Sequence, residues 1–177
     1  MTGKRKGIGL FGDCQSTNLR TVNHYFPQIA RRTKKNQGAQ AIGRSRGGLS
    51  TKIHASVDAL GNPTGFHLTG GQAHDLEGAD ALLPQMQGHT VIADKGYDAQ
   101  QRVIEPLLAA GKAVVIPSRS TNKQQREYDA ELYKARHVIE NFFAKLKQYR
   151  AIATRYDKTA SNFLGAIHLA AAMIWMI

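Results

Sequence analysis

The chain has 177 residues, 42% of them hydrophobic and 21% charged, a composition that suits one globular domain with a sizeable core. Its 24 Lys and Arg residues outnumber 13 Asp and Glu residues and give a net charge of +11, which favours a polyanionic partner, although charge that merely keeps a protein soluble is the alternative. Cys14 is the single cysteine, which excludes an internal disulfide and a multi-cysteine zinc site and fits the reducing cytoplasm.

The basic residues are concentrated in two segments. The first lies between Asp13 and Asp58, where no acidic residue occurs, and contains Arg20, Arg31, Arg32, Lys34, Lys35, Arg44, Arg46 and Lys52. The second contains Lys145, Lys147, Arg150, Arg155 and Lys158. Segments of one charge sign are typical of arms that bind nucleic acid or anionic surfaces. No lipid-anchoring feature accompanies them, so the sequence predicts a nucleic-acid partner, no membrane partner and a cytoplasmic, nucleoid-associated location.

Residues 1–40 are predicted to be irregular, apart from a strand over about residues 16–22. Residues 43–48 form a basic, glycine-rich loop that would let backbone amides approach a phosphate closely, with a flexible connection as the alternative. Apolar and polar side chains alternate over residues 51–57, which predicts a strand with two distinct faces. A turn over residues 58–63 and a returning strand over residues 64–68 complete a hairpin.

The rest of the chain alternates between predicted helices and short buried strands. Asp75 is expected to cap a helix that continues to about Met86, and Asp98 and Gln101 have capping-box spacing for a helix that reaches Ala110. Buried strands are predicted over residues 90–93 and 113–117, and helices over residues 128–149 and 161–175. The apolar tail, 14 residues from Leu164 to the end, is too short to span a bilayer. This order predicts a mixed α/β layer architecture.

Two places carry candidate chemistry. Asp94 follows a buried strand, at the carboxyl end where catalytic groups gather in open α/β sheets, although it could simply begin a turn. In the helix over residues 128–149, one apolar stripe consists of Leu132, Ala135, Ile139, Phe142 and Leu146. A second stripe, about 110° away, consists of Tyr133, Arg136, Glu140 and Lys147. Glu140 could therefore reach an acid at a strand end; the alternative is a solvated ion pair with Arg136.

These features resemble a known family. Tyr133-x2-Arg136-x3-Glu140-x6-Lys147 is similar to the Y-R-E-K signature of bacterial insertion-sequence transposases, and residues 43–52, 93–98 and 154–158 resemble the insertion-sequence-five group in particular. The resemblance is continuous over about residues 37–177. It implies an RNase H-like mixed sheet flanked by helices, with residues 41–177 as the catalytic domain and residues 1–40 as a basic, poorly matched segment that holds the first strand.

The resemblance also implies a reaction. Three acids would bind two Mg²⁺ or Mn²⁺ ions, with Asp94 as the second acid and Glu140 as the third. Two such ions about 4 Å apart can activate an attacking oxygen and stabilise a leaving one, so water would nick DNA and the freed 3′-hydroxyl would then attack target DNA. Arg136 and Lys147 would hold phosphates beside Tyr133. Further DNA-binding candidates are Arg44, Arg46 and Lys52.

The first acid departs from the family pattern. The family has Asp-Ser-Thr or Asp-Gly-Thr where this chain has Gln15-Ser16-Thr17. The nearest acid, Asp13, keeps the strand face but would shift the carboxylate by roughly 7 Å. Asp58 is a poorer substitute. We expect the helical DNA-binding domain of full-length relatives to be missing from this chain.

We therefore expect a second-reading-frame or truncated product with little strand transfer on its own. Its expected partners are element-end and target DNA, an upstream-frame product and a second copy of itself. Two alternatives stay open: a non-catalytic DNA-binding remnant, and a nuclease that hydrolyses DNA without joining it.

Overall fold

In the part of the chain that can be described, six strands form one mixed sheet with helices packed on both faces. The structure is a computed structural model that describes the backbone of residues 16–25 and all of residues 40–122 and 125–176. The strands are β1 (Ser16–Tyr25), β2 (Gly43–Ser45), β3 (Gly48–Val57), β4 (Pro63–Gly70), β5 (Thr90–Ala93) and β6 (Ala113–Val115). The helices are α1 (Asp75–Leu82), α2 (Glu105–Ala109), α3 (Ala130–Tyr133), α4 (His137–Gln148), α5 (Arg150–Ala153) and α6 (Ala160–Met176). None of the described helices is both long enough and apolar enough to cross a bilayer.

Strand β1 lies at the centre of the sheet. It runs antiparallel to β3, with Tyr25 opposite Ser50, and parallel to β5, with Leu19 opposite Ala93. Strand β6 continues the parallel side beyond β5. On the other side, β3 pairs with β4 along most of its length and with β2 at its beginning. The carboxyl ends of β1, β5 and β6 therefore point in the same direction as the turn of the β2–β3 hairpin, but β1 continues six residues beyond Leu19, the last residue paired with β5.

Each face of the sheet has its own hydrophobic core. The side chains that β5 places beside α1 and α2 form the first core, which consists of Leu76, Ala79, Leu82, Met86, Val91, Ala93, Tyr97, Val103, Ile104, Leu107 and Ile116. The side chains between β3, α4 and α6 form the second, which consists of Ile53, Ala55, Val57, Ile139, Phe142, Phe143, Leu146, Ile152, Phe163, Ile167, Ala170 and Ala171. The predicted mixed α/β layer architecture is confirmed.

Strand β3 is buried on both faces, not on one as its alternating sequence suggests. The apolar residues pack under α4 and α6, while the polar residues are covered by α1 and β4 and find partners there. Lys52 Nζ donates to Asp75 Oδ1 at 2.7 Å, His54 Nε2 lies 2.8 Å from Thr69 Oγ1, and Ser56 Oγ lies 2.8 Å from the hydroxyl of Thr64. Paired polar groups can be buried at little cost, which is why the alternation is no guide to exposure here.

Several local predictions were wrong. The residue that caps α1 is His74, whose ring accepts from Leu76 N, and Asp75 is the first helical residue. Asp98 does not cap the helix that follows it: a π-helical turn begins at Gln100 with Ala99 as its uncapped neighbour, and Asp98 instead ends the 3₁₀ turn Lys95–Tyr97. The glycine-rich run is the tight β2–β3 hairpin and not an open loop.

The predicted helix over residues 128–149 is present in two pieces. A 3₁₀ turn, Lys134–Arg136, separates α3 from α4. Ile139, Phe142 and Leu146 of the predicted apolar stripe are buried, but Leu132, ahead of the turn, is 36% exposed. The break separates a core helix, α4, from a short exposed one, α3.

Candidate active site

Asp94 stands where β5 ends. Its Oδ1 accepts a hydrogen bond from the backbone N of Lys95 at 2.7 Å, which starts the 3₁₀ turn Lys95–Tyr97. The side chain is half-buried. The other carboxylate oxygen accepts no hydrogen bond from residues 40–122 or 125–176. Asp94 thus begins a turn and keeps one oxygen for another partner, so the two sequence interpretations are compatible.

Glu140 lies in the first turn of α4 and forms the predicted ion pair. Its Oε1 is 2.7 Å from Arg136 Nη2, and the two side chains are 37% and 25% exposed. The Arg136 guanidinium also lies over the ring of Tyr133, 5.6 Å from its centroid, and Tyr128 packs edge-on against that ring. A pair this exposed contributes little to stability. Its consequence is geometric, because it holds the cation and the acid on one side of the helix.

Tyr133 connects the strand end with the helix. Burial raises the pKa of its phenol, Arg136 lowers that pKa, and the carboxylates of Asp94 and Glu140 both raise it. The interaction between two charges weakens with distance, so both acids lie within electrostatic range of the phenol. The 3₁₀ turn Lys134–Arg136 also contacts β5 directly. Residues 94 and 140, far apart in the sequence, are therefore both within electrostatic range of Tyr133.

The described beginning of β1 lies away from Asp94. Asp13 and Gln15 are outside the described residues. Ser16 pairs with Thr90, at the start of β5, and therefore lies four residues along the strand from Asp94, roughly 13 Å. Asp58 holds its own turn by accepting from the backbone N of Leu60 and Asn62. Within the described segments, no three His, Cys, Asp or Glu residues are grouped to hold a metal ion.

The predicted DNA-binding residues are in different situations. Arg44 and Arg46 are exposed on the β2–β3 hairpin, beyond the end of β1 and roughly 20 Å along the sheet from the end of β5. Lys147 is exposed on α4, seven residues after Glu140 and therefore about 10 Å further along the helix. Lys52, by contrast, is only 14% exposed, and its ammonium bonds to Asp75 and to the carbonyl of Ala73.

Arg155 does not belong to a basic surface. It is fully buried, and its guanidinium stacks on Phe163 at 4.7 Å and donates to backbone carbonyls that include those of Gln40 and Ala41. Burial lowers its pKa to about 10. The prediction that Arg155 contributes to a nucleic-acid-binding stretch is wrong, because its guanidinium is buried and donates its hydrogen bonds to groups within the protein.

A second buried charged group, Asp98, was assigned by its sequence to a helix cap. It is 8% exposed and accepts hydrogen bonds from three groups in the loop that follows β6. The only sequence signal for this role is the arginines of that loop, Arg119 and Arg126. Nothing in local periodicity connects them to residue 98.

Comparison with known proteins assigns the family. A family model described as "Transposase DDE domain" matches residues 15–175. The chain is 44% identical to the putative transposase for insertion sequence element IS6501 of Brucella ovis over 132 residues, which cover 72% of this chain and 99% of the relative. It is 30% identical to the putative transposase for insertion sequence element IS402 of Burkholderia cepacia over 142 residues, 70% of this chain and 60% of the relative.

A third relative, the transposase for insertion sequence element IS1106 of Neisseria meningitidis serogroup B, is 32% identical over 114 residues, 61% of this chain and 40% of the relative. The chain thus spans nearly all of the first relative and about half of the other two. The chain belongs to the insertion-sequence transposases that carry a DDE domain.

Proposed function

We propose that this transposase cuts and joins DNA strands at the ends of an insertion sequence, with Asp94 and Glu140 as the carboxylates of an RNase H-like, metal-dependent site. Two observations support the proposal: the 3₁₀ turn that leads into α4 contacts β5, the strand that ends at Asp94, and both carboxylates raise the pKa of the Tyr133 phenol. The strand order supports the fold: a central β1 with a parallel side and an antiparallel side. Membership of the insertion-sequence-five group remains a prediction.

The donor set fits a hard divalent cation. Mg²⁺ and Mn²⁺ prefer oxygen ligands, and Mg²⁺ is typically held by one or two carboxylates together with substrate phosphate oxygens. Asp94 offers an oxygen that accepts no hydrogen bond from the described residues, and Glu140 is partly exposed. When bound, two such ions would activate the attacking oxygen and stabilise the leaving one in an in-line displacement.

The chain's own residues would position the DNA. Arg136 holds Glu140 and stacks on Tyr133, so its guanidinium can exchange the carboxylate for a phosphate at the same place. Lys147 could bind the backbone further along α4, and Arg44 and Arg46 could bind it beyond the β1 end. Lys52 would first have to release Asp75.

A non-catalytic DNA-binding remnant is the second candidate. Two observations favour it: Gln15 occupies the place of the family's first acid, and the neighbouring Ser16 pairs with Thr90 at the far end of β5 from Asp94. We therefore expect strand transfer by this chain to be weak. Robust Mg²⁺-dependent nicking of terminal-repeat DNA, lost in Glu140→Gln, would contradict that expectation.

Mn²⁺ binding tests the proposed site directly. We expect Asp94→Asn and Glu140→Gln each to weaken Mn²⁺ binding by the chain at least about tenfold, because each removes a charged oxygen ligand. Binding would be measured by electron paramagnetic resonance and by calorimetry. Glu131→Gln is the matched control, since Glu131 pairs with Lys134 on the same stretch of helix at an exposed position. Unchanged binding in both variants, or no binding by the unmodified chain, would leave only the DNA-binding remnant.

The hairpin arginines should act through the salt dependence of DNA binding. If Arg44 and Arg46 each neutralise one phosphate, replacing both by Gln reduces the slope of log K against log salt by about 2. Fluorescence anisotropy with a duplex between roughly 50 and 200 mM salt measures this slope. Arg102→Gln is the control, because Arg102 is exposed but already paired with Asp80. A change of about 1 in the slope of the control, which is the same change per charge removed, would show that only total charge matters.

A further inference from the structure

A buried carboxylate holds the loop after β6 against the turn that follows Asp94. Asp98 Oδ2 accepts from the backbone N of Arg119 at 2.8 Å and from Asn122 Nδ2 at 2.6 Å. Its Oδ1 accepts from Arg126 Nη2 at 3.1 Å, in a pair whose carboxylate side chain is 2% exposed. Three donors from a loop more than twenty residues away thus converge on one acid.

The loop reaches back to the Asp94 turn through Arg119. Its Nη2 donates to the carbonyl of Gly96 at 2.7 Å and its Nε to the carbonyl of Lys95 at 3.2 Å. The turn is closed on its inner side by Tyr97 N, which donates to the Asp94 carbonyl at 2.9 Å. The backbone that carries the Asp94 carboxylate is therefore fixed from inside by its own turn and from outside by a guanidinium.

We propose that Asp98 and Arg119 are positioning residues for Asp94: Asp98 orients the backbone of Arg119, and Arg119 fixes the turn that aims the Asp94 carboxylate at Tyr133 and Glu140. The inference rests on the proposed function, because it assigns the aim of Asp94 to a metal site. A metal ligand must be held within a fraction of an ångström of its productive position, and groups that fix a ligand from behind contribute to metal affinity. Neither residue touches the ion or the DNA in this scheme.

The charge of Arg119 and its positioning role predict opposite changes in Mn²⁺ affinity when Arg119 is replaced. Removal of a cation close to Asp94 would, by electrostatics alone, strengthen the binding of Mn²⁺. Loss of the hydrogen bonds to the two carbonyls would loosen the turn and weaken the binding of Mn²⁺. A variant at Arg119 therefore separates the two effects without further calculation.

The experiment measures Mn²⁺ binding by the 177-residue chain with Arg119→Ala, Arg119→Lys and Asp98→Asn. We expect Arg119→Ala to weaken binding about tenfold and Asp98→Asn at least as much. The resonance spectrum of bound Mn²⁺ at saturating metal should broaden in both, a change that a loss of stability alone does not produce. Arg119→Lys keeps the charge but cannot reach both carbonyls at once, and should recover part of the affinity. Arg102→Ala, which removes an equally basic but unconnected side chain, should leave affinity and spectrum unchanged.

Binding by Arg119→Ala that equals or exceeds that of the unmodified chain would overturn the proposal. If Arg119→Ala does not fold by circular dichroism, Arg119→Lys decides by the same criterion, with unchanged affinity and spectrum as the contrary result. The proposed function fails differently, through Asp94→Asn and Glu140→Gln variants that both leave Mn²⁺ binding intact. The two failures are therefore distinguishable.

Discussion

Arg155→Ala is expected to lower the free energy of unfolding by about 3–5 kcal/mol, because three half-buried carbonyls each lose a hydrogen bond from a charged donor, at roughly 1–1.5 kcal/mol each. The guanidinium is fully buried and stacks on the Phe163 ring. It donates to the hydroxyl of Thr51 and, at 2.9, 3.3 and 3.1 Å, to the carbonyls of Gln40, Ala41 and Asp157. These bonds tie the segment that enters β2 to β3 and to the approach to α6. Burial lowers the pKa of Arg155 to about 10, so the group stays charged at neutral pH.

Urea unfolding at neutral pH measures this loss. Arg155→Lys should lose less than Arg155→Ala, since an ammonium keeps the charge but cannot fork between carbonyls on separate segments. Arg150→Ala, at an exposed position in the same basic stretch, should change stability by no more than about 0.5 kcal/mol. If Arg150→Ala and Arg155→Ala lowered the free energy of unfolding equally, the hydrogen bonds of Arg155 would make no measurable contribution to stability.

The burial of Arg155 could not be predicted from the local sequence. Five basic residues between 145 and 158 form a stretch that predicts a binding surface, yet the structure exposes Lys145, Lys147 and Arg150 and buries Arg155. Arg155 differs from the exposed basic residues because it has hydrogen-bond partners at residues 40, 41 and 51, more than a hundred positions away. Periodicity reports neighbours three or four residues apart and carries no information about such pairs.

The parts of the fold that depend on local signals were predicted well. The short apolar strand at residues 90–93 has the predicted bounds, and the hairpin over β3 and β4 and the final helix lie where expected. Caps were less predictable, because an Asp beside a helix start can accept from distant donors instead, as Asp98 does. The acids at residues 94 and 140 were candidates from the strand end and from the helical spacing, and only the resemblance to the family gave them roles as metal ligands.

His54 gives the second large expected effect, a loss of stability in mild acid. The imidazole is fully buried in β3, with Nε2 2.8 Å from the Thr69 hydroxyl. Helix α1 packs so closely over it that a Cβ at residue 78 would lie 2.0 Å from Nδ1, which explains the glycine there. Burial is the main reason that its pKa is lowered from 6.5 to about 4; His67 and Lys52 lower it further, and only Asp75 opposes them.

The direction of the change in stability with pH depends on whether the folded or the unfolded state protonates His54 at the higher pH. Below pH 6.5 the imidazole of the unfolded chain is protonated, whereas the folded one stays neutral until about pH 4. The contribution of neutral His54 to stability is therefore complete above pH 6.5 and is lost as pH falls from 6.5 to 4. That interval corresponds to about 3 kcal/mol.

Comparison of His54→Gln with the unmodified chain isolates this effect. Glutamine can still bond to Thr69 but does not titrate, so urea unfolding between pH 7 and pH 4 should show a shallower decline for the variant. Carboxylates that titrate in the same range contribute equally to both proteins, and the difference between the two curves therefore belongs to His54. The difference should grow by about 3 kcal/mol across the interval, and curves that remain parallel would mean that the buried ring accepts its proton without cost. Because α1 and β3 also support the Lys52–Asp75 pair, acid should loosen this face of the sheet before the opposite one, where α4 carries Glu140.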